Sequence, residues 1–419
     1  MGIGTFVSRS NRPMAGLPHQ KRISTGDLVL VAAVVALSIF GLLMLYSAST
    51  DFSMAHYSSP TFIFNKQVLW FVLGGVAAIV LARLDYHIWQ KLALPLMVVT
   101  IIALIAVLIA GQESLGAIRS FIGGSVQPSE LAKLATVIYL SVWLYSKRDY
   151  LHDIQLGLIP LAVILGVLGG LIFKQPDLSA AITVFILGGL LFFLAGGDLR
   201  QITLFCLVAL AVGAVVVMVS PTGLNRIKSF IAGFKDPLQS SDHVLWSLEA
   251  VFKGKFFGVG LGNATTKLIG LPFAATDSIF AVVVEELGFI GVLALIVLYT
   301  VVVWRGLVIA GRAPDMLGSV LAGGLTFWIA IEAFINMAVM VNLLPFAGNA
   351  LPFVSAGGSN LISTLAAIGI LLSISRHSGR KAPQEVTEER RSYGASVDLR
   401  RRNRRRSVSR ARRPGSVER

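Results

Sequence analysis

Polarity along this chain changes in long blocks, not residue by residue. Apolar runs cover residues 28–48, 67–84, 91–110, 130–146, 157–174, 178–196, 200–219, 278–304, 317–343 and 353–375. Each is close to the roughly 20 residues a helix needs to cross a bilayer core. The pattern predicts an all-α polytopic membrane protein with ten transmembrane helices. A long polar loop, 220–277, separates spans 7 and 8. Residues 1–26 form a polar N-terminal segment, 27–376 the ten-span domain and 377–419 a tail rich in Arg, Glu and Ser.

Helix-start grammar brackets the runs. Gln127-Pro128-Ser129-Glu130 and Gln175-Pro176-Asp177 place proline at or before a helix start, followed by a capping residue. The first run, Leu28–Tyr46, is followed by Ser47-Ala48-Ser49, which mimics a signal-peptidase site. The run is too long for a typical signal-peptide core, so it is expected to stay as an uncleaved span.

Composition narrows the class. Charged residues make up 14% of the chain and hydrophobic residues 55%, with a mean hydropathy of +0.76, which excludes an ordinary soluble domain. One cysteine, Cys206, allows no intramolecular disulfide and no multi-thiolate metal site, and the six histidines are scattered. Of the net charge of +14, residues 376–419 carry +10, with 15 Lys/Arg against 5 Asp/Glu. An even number of spans puts both ends on one side, and the positive-inside rule makes that side cytoplasmic. The tail is expected to be disordered. Its 400–413 run suits anionic headgroups better than nucleic acid.

The long loop breaks the charge bias, carrying Arg226, Lys228, Lys235, Lys253, Lys255 and Lys267; Arg119 does the same in 111–129. Long loops can translocate whatever their charge, but an anionic ligand outside would give these cations a purpose. The loop ends in one carboxylate, Asp277. Either it serves chemistry there, or Thr276 or Asp277 simply caps the next helix. Glu285 and Glu286 lie about 12–14 Å further along that helix on different faces, so both cannot join Asp277. Buried charges of this kind face a partner or a cavity. Glu130 and Lys133, three apart, either pair within their helix or line the same cavity. Gly258-Val259-Gly260-Leu261-Gly262 lacks the strand and spacing of a dinucleotide loop, yet its glycines suit backbone contact with a phosphate. Leu351–Asn360 is a Gly/Ser-rich entry to the last span, suited also to close helix packing.

Taken together, these stretches resemble the SEDS family (shape, elongation, division and sporulation; FtsW, RodA and SpoVE), with a slight lean to the FtsW/SpoVE branch. The resemblance spans residues 25–376. It rests on Arg119-Ser120-Phe121, Gln127 through Lys133, Gln175-Pro176-Asp177, Gly258 through Gly262 with Lys267, and Thr276-Asp277 with Glu285-Glu286-Leu287-Gly288. Ile335-Asn336, Leu344-Pro345, Leu351 through Ser355 and Gly357-Gly358-Ser359 complete it. Four positions depart from the family's usual pattern: Ala275 for a His, Ser278 for an aromatic, Ala347 for a Lys and Ala356 for a Tyr.

The resemblance implies a peptidoglycan glycosyltransferase that polymerises lipid II at the outer face of the bacterial cytoplasmic membrane, during division or elongation. Its implied partners are a class B penicillin-binding protein (a transpeptidase), lipid II, the nascent glycan on polyprenyl pyrophosphate, and other divisome or elongasome membrane proteins, with no nucleic acid. Asp277 matches the family's essential acid. A positioned carboxylate can take the acceptor hydroxyl's proton, while a pyrophosphate leaving group needs cations, not a second carboxylate. Arg119, Lys133, Arg226, Lys253, Lys255 and Lys267 are candidates for that charge, and Glu130 and Ser355 for other substrate contacts. A divalent cation, Mg or Mn, held through Asp or phosphate oxygens is compatible with the set, and no metal ligands are assigned. The rivals are a flippase for the same lipid, needing a polar path through Glu130, Lys133, Glu285 and Glu286, and a non-catalytic division scaffold.

Overall fold

The structure, a computed structural model, describes residues 25–110, 112–114, 117–120 and 127–378. The segment 1–24 and the basic tail from 379 lie outside the described residues, as does the Arg119 side chain.

In chain order the helices are α1 (Thr25–Tyr57), α2 (Phe62–Arg83), α3 (Trp89–Ala110), α4 (Pro128–Ser146), α5 (Ile159–Phe173), α6 (Leu178–Leu194) and α7 (Leu199–Val219). The long loop holds α8 (Pro221–Lys235), α9 (Asp242–Gly254) and α10 (Thr266–Ile269). The last three are α11 (Ile279–Gly311), α12 (Met316–Met340) and α13 (Gly358–Ser378). Ten of these fall on the ten apolar runs. Eight of the ten are long and apolar enough to cross a membrane. The other two are α6, which has only 17 residues, and α4, which Glu130 and Lys133 make more polar. Among the described residues the only strands are β1 (Gln112–Ser114) and β2 (Ala117–Ser120), an antiparallel hairpin between α3 and α4. It is too short to leave a mark on the hydropathy pattern.

The predicted helix starts form as the residues dictate. Pro128 stands in the first turn of α4, where a missing N–H costs nothing. Asp177 caps α6 by accepting from Ala180 N (3.2 Å). Asp315, which the sequence reading did not single out, caps α12 in the same way by accepting from Gly318 N (2.7 Å). Asp177 does more than cap. Its other oxygen accepts from Gln127 and Ser129, both at 2.9 Å, which ties α6 to the start of α4.

The last helix, α13, is buried along nearly its whole length and packs on α2. A side chain at Gly369 would overlap the Ala78 carbonyl, so the small residue sets the approach of the two backbones. By contrast α7 buries only Gln201 and Phe205, and most of its remaining surface is exposed and apolar.

The long loop enters the bundle. α11 is broken at Gly288, whose φ of 63° and ψ of −161° are not helical. Residues 255–260 fill the break with backbone bonds. Val259 N donates to Glu285 O (2.9 Å) and Gly260 N to Glu286 O (3.0 Å), while Phe289 N donates to Lys255 O (2.9 Å). Every peptide group freed by a break at membrane depth needs such a partner. Gly258 and Gly288 permit it, since a Cβ on either would overlap the other strand's backbone, and both have positive φ.

Candidate functional site

Asp277 is partly buried and ends the long loop one residue before the N-cap of α11. Ser278 immediately precedes the first helical residue of α11, and its side chain makes no cap to the helix. Backbone groups around Asp277 are pinned one by one. Ala275 O accepts from Ala356 N (2.9 Å), Thr276 O from Ser355 Oγ (2.7 Å) and Asp277 O from Asn336 Nδ2 (2.8 Å). Asn336, on α12, also donates to Asn349 O (2.6 Å). The Asp277 carboxylate rests against Gly348; a Cβ there would lie 3.1 Å from Oδ2. Asn336 Oδ1 and Asn349 Nδ2 are buried beside this assembly with no protein partner, and buried polar atoms seldom stay unpaired.

Sequence reasoning passed over His243, which counted there only as one of six scattered histidines. Its Nδ1 lies 2.9 Å from the Ser278 hydroxyl. Its ring stacks on Phe346, with centroids 4.0 Å apart at 19°, and runs parallel to Phe273 at 5.8 Å. Burial pushes the imidazole down to about 4; Asp242 opposes this and the Arg226 guanidinium adds to it. No spacing in the sequence flags His243, because its partner is 35 residues away.

The candidate cations divide by what holds them. Arg226 stands over the Phe346 ring (5.5 Å), on the same aromatic column as His243, and lines a cavity of about 230 Å³ with Pro176, Ser220 and Pro221. Lys253 pairs with Glu249 (2.7 Å) and Thr265 Oγ1 (2.9 Å) on the flank of α9. Lys255 is exposed where the loop enters α11. Lys267 is occupied: its Nζ meets Glu286 Oε1 (2.8 Å), Ser47 Oγ (2.9 Å) and Ser47 O (3.0 Å). Lys133 is buried between Glu130 (2.8 Å) and Glu332, a carboxylate of α12 that the sequence reading did not single out. Asn360 completes that cluster by donating to Glu130 Oε2 (2.8 Å). Glu332 and Asn336 are four apart on α12, hence on one face, so α12 links the buried cluster to the Asp277 backbone. Glu285 accepts from Thr265 N (2.9 Å) and from Thr266, closing the loop from its other side. Among the described residues no three His, Cys, Asp or Glu side chains group as a metal-ligand set.

A multi-pass helical membrane protein, with a carboxylate on a held backbone segment at the end of a cation-bearing loop, is the class that fold and site define. Residues 28–380 match the family model described as "Cell cycle protein", FtsW/RodA/SpoVE. Over 358 residues the chain is 40% identical to a "Probable peptidoglycan glycosyltransferase FtsW" of Trichlorobacter lovleyi, covering 84% of this chain and 94% of that protein. It is 36% identical to "Stage V sporulation protein E" of Bacillus subtilis, over 84% and 97% of the two chains. A solved structure described as "Structural coordination of polymerization and crosslinking by a peptidoglycan synthase complex" superposes with a TM-score of 0.68 at 27% identity, covering 83% of this chain and 97% of its own. Rod shape determining protein RodA of Thermus thermophilus gives 0.61 at 25%, over 84% and 97%. The chain belongs to the FtsW/RodA/SpoVE family.

Proposed function

We propose that this protein is a peptidoglycan glycosyltransferase that extends glycan strands from lipid II, with Asp277 as general base. The observation that carries the reading is the fixed seat of Asp277, whose neighbours are held residue by residue and whose carboxylate rests on Gly348. Such fixation suits a group that must meet one acceptor hydroxyl in one geometry. The carboxylate removes the proton of the acceptor hydroxyl as the hydroxyl oxygen bonds to the donor's anomeric carbon, and the bond from that carbon to the pyrophosphate oxygen breaks. Negative charge then grows on the leaving pyrophosphate. Arg226, Lys253 and Lys255, with Arg119, are the cations assigned to it. Lys133 and Lys267 are paired with carboxylates and are assigned to hold the scaffold. Asp277 and the substrate's phosphate oxygens would hold any Mg or Mn, which would add positive charge beside the leaving pyrophosphate.

The loop is placed outside and both termini in the cytoplasm, on the charge bias of the connecting segments. This makes the protein resident in the bacterial cytoplasmic membrane. A class B penicillin-binding protein is the proposed partner, supported by the likeness to a peptidoglycan synthase complex, alongside other division or elongation membrane proteins. The flippase reading needs a free polar path, but Glu130, Lys133, Glu285 and Glu286 are all engaged with protein groups. Polymerisation of lipid II by the purified protein with its transpeptidase partner tests the proposal. Vesicle flipping without polymerisation would favour the transporter.

A further inference from the structure

Four consecutive residues, 275–278, are each held by a different group. Three of those groups come from α12 and the segment 349–356: Asn336, Ser355 and Ala356. The fourth comes from the long loop. It is His243 on α9, bonded to the buried Ser278 hydroxyl. Ser278 makes no side-chain cap to α11, so its hydroxyl is turned away from the helix backbone and toward α9. The imidazole also packs on Phe346, two residues before the Gly348 that backs the Asp277 carboxylate. One ring thus touches the residue after Asp277 and the wall behind its carboxylate.

We propose that His243 is a positioning residue that couples loop helix α9 to the Asp277 carboxylate, through the Ser278 hydroxyl and the Phe346 ring. The coupling has a direction. α9 carries Lys253 ten residues further on and runs into the 255–260 segment that plugs the break in α11. An anionic lipid-linked substrate drawn to Lys253 and Lys255 loads α9 at that end, and His243 delivers the shift to the carboxylate at the other. A neutral imidazole suits this task. It keeps one nitrogen for Ser278 and can lie flat on Phe346 without bringing a second cation beside Arg226. Displacing a reacting group by about 1 Å costs on the order of 100-fold in rate, so a small shift in this contact suffices for control.

The inference rests on reading Asp277 as the base, and its test separates the two. His243→Phe keeps the stack and loses the hydrogen bond; Ser278→Ala removes the same bond from its other end. Each should lower kcat for lipid II polymerisation by about 10- to 100-fold while KM stays within about two-fold, as expected when ground-state binding is untouched. The double variant should fall no further than the worse single one, since both remove one interaction. Amide hydrogen exchange at residues 276–282 should quicken in all three. Wild-type kcat in His243→Phe, additive losses in the double variant, or unchanged exchange would each overturn the coupling. If the wild-type protein makes no glycan, the enzyme reading fails, and exchange alone still decides whether His243 holds this segment.

Discussion

Lys267 Nζ lies 2.8 Å from Glu286 Oε1, with the two side chains 4% and 0% exposed. The same nitrogen reaches Ser47 of α1 and the Gly262 carbonyl, so one ammonium fastens loop, α11 and α1 together. Glu286 Oε2 is buried with no partner, which makes the acid dependent on its one cation. Removing one partner of a buried pair leaves an uncompensated charge and costs about 3–5 kcal/mol, whereas removing both costs far less. Lys267→Met is therefore expected to lower the thermal unfolding temperature sharply, and Lys267→Met/Glu286→Gln to recover most of the loss. Additive losses would show that the pair is not the fastening.

Lys255 should behave in the opposite way. It is exposed and placed where the loop enters α11, so Lys255→Ala is expected to leave unfolding unchanged and raise KM for the lipid-linked donor. Lys253 makes a partly exposed pair with Glu249, a class of contact contributing roughly 0–1 kcal/mol, so Lys253→Ala should act the same way. Steady-state kinetics beside a melting curve separates these two lysines from Lys267.

Gly258→Ala puts a methyl group into the Glu286 carbonyl, at a φ of 76°. The loop should then fail to seat in the α11 break, leaving backbone groups unpaired at about 1–3 kcal/mol each. Limited proteolysis around 255–262 should rise sharply, with activity falling alongside it. A protected, active Gly258→Ala protein would contradict the inserted-loop account.

The pH dependence follows from His243. Its folded value of about 4 lies below the ordinary 6.5, so the folded state resists taking up the proton. Above the ordinary value both folded and unfolded chains are neutral there, and the stabilisation is complete. As pH falls from 6.5 toward 4 the unfolded chain takes up a proton that the folded chain does not, and stability is lost. Melting curves should show a drop as pH falls from 6.5 to about 4, and a smaller one in His243→Phe. Equal drops would place the titration elsewhere.

Asp277→Asn keeps the size of the side chain and removes the base. General-base catalysis typically supplies about 10²–10⁴-fold, so the variant should be folded, bound to its partner and at least 100-fold slower in strand formation. Because Asn caps a helix about as well as Asp, little helix stability should change. Long glycan strands from Asp277→Asn would move the base elsewhere, with Glu130 the next residue to test.

The sequence by itself marked the apolar runs on which ten helices fall, the cap at Asp177 and the place of the long loop along the chain. Hydropathy records which solvent each stretch faces, and a cap such as Asp177 acts within a few residues of itself. It also singled out Asp277, because a lone acid after a cation-rich loop is visible in one dimension. What the tertiary structure decided was the pairing of polar groups. Ser47 meets Glu286 across 239 residues and Lys133 meets Glu332 across 199, distances over which no local period carries information. The break at Gly288 was hidden for a related reason. An apolar helix and an apolar helix interrupted by an inserted loop have the same hydropathy, and they differ only in which backbone supplies the missing hydrogen bonds. His243 belongs to the same group: only the folding of α9 against α11 brings that imidazole to the residue beside Asp277.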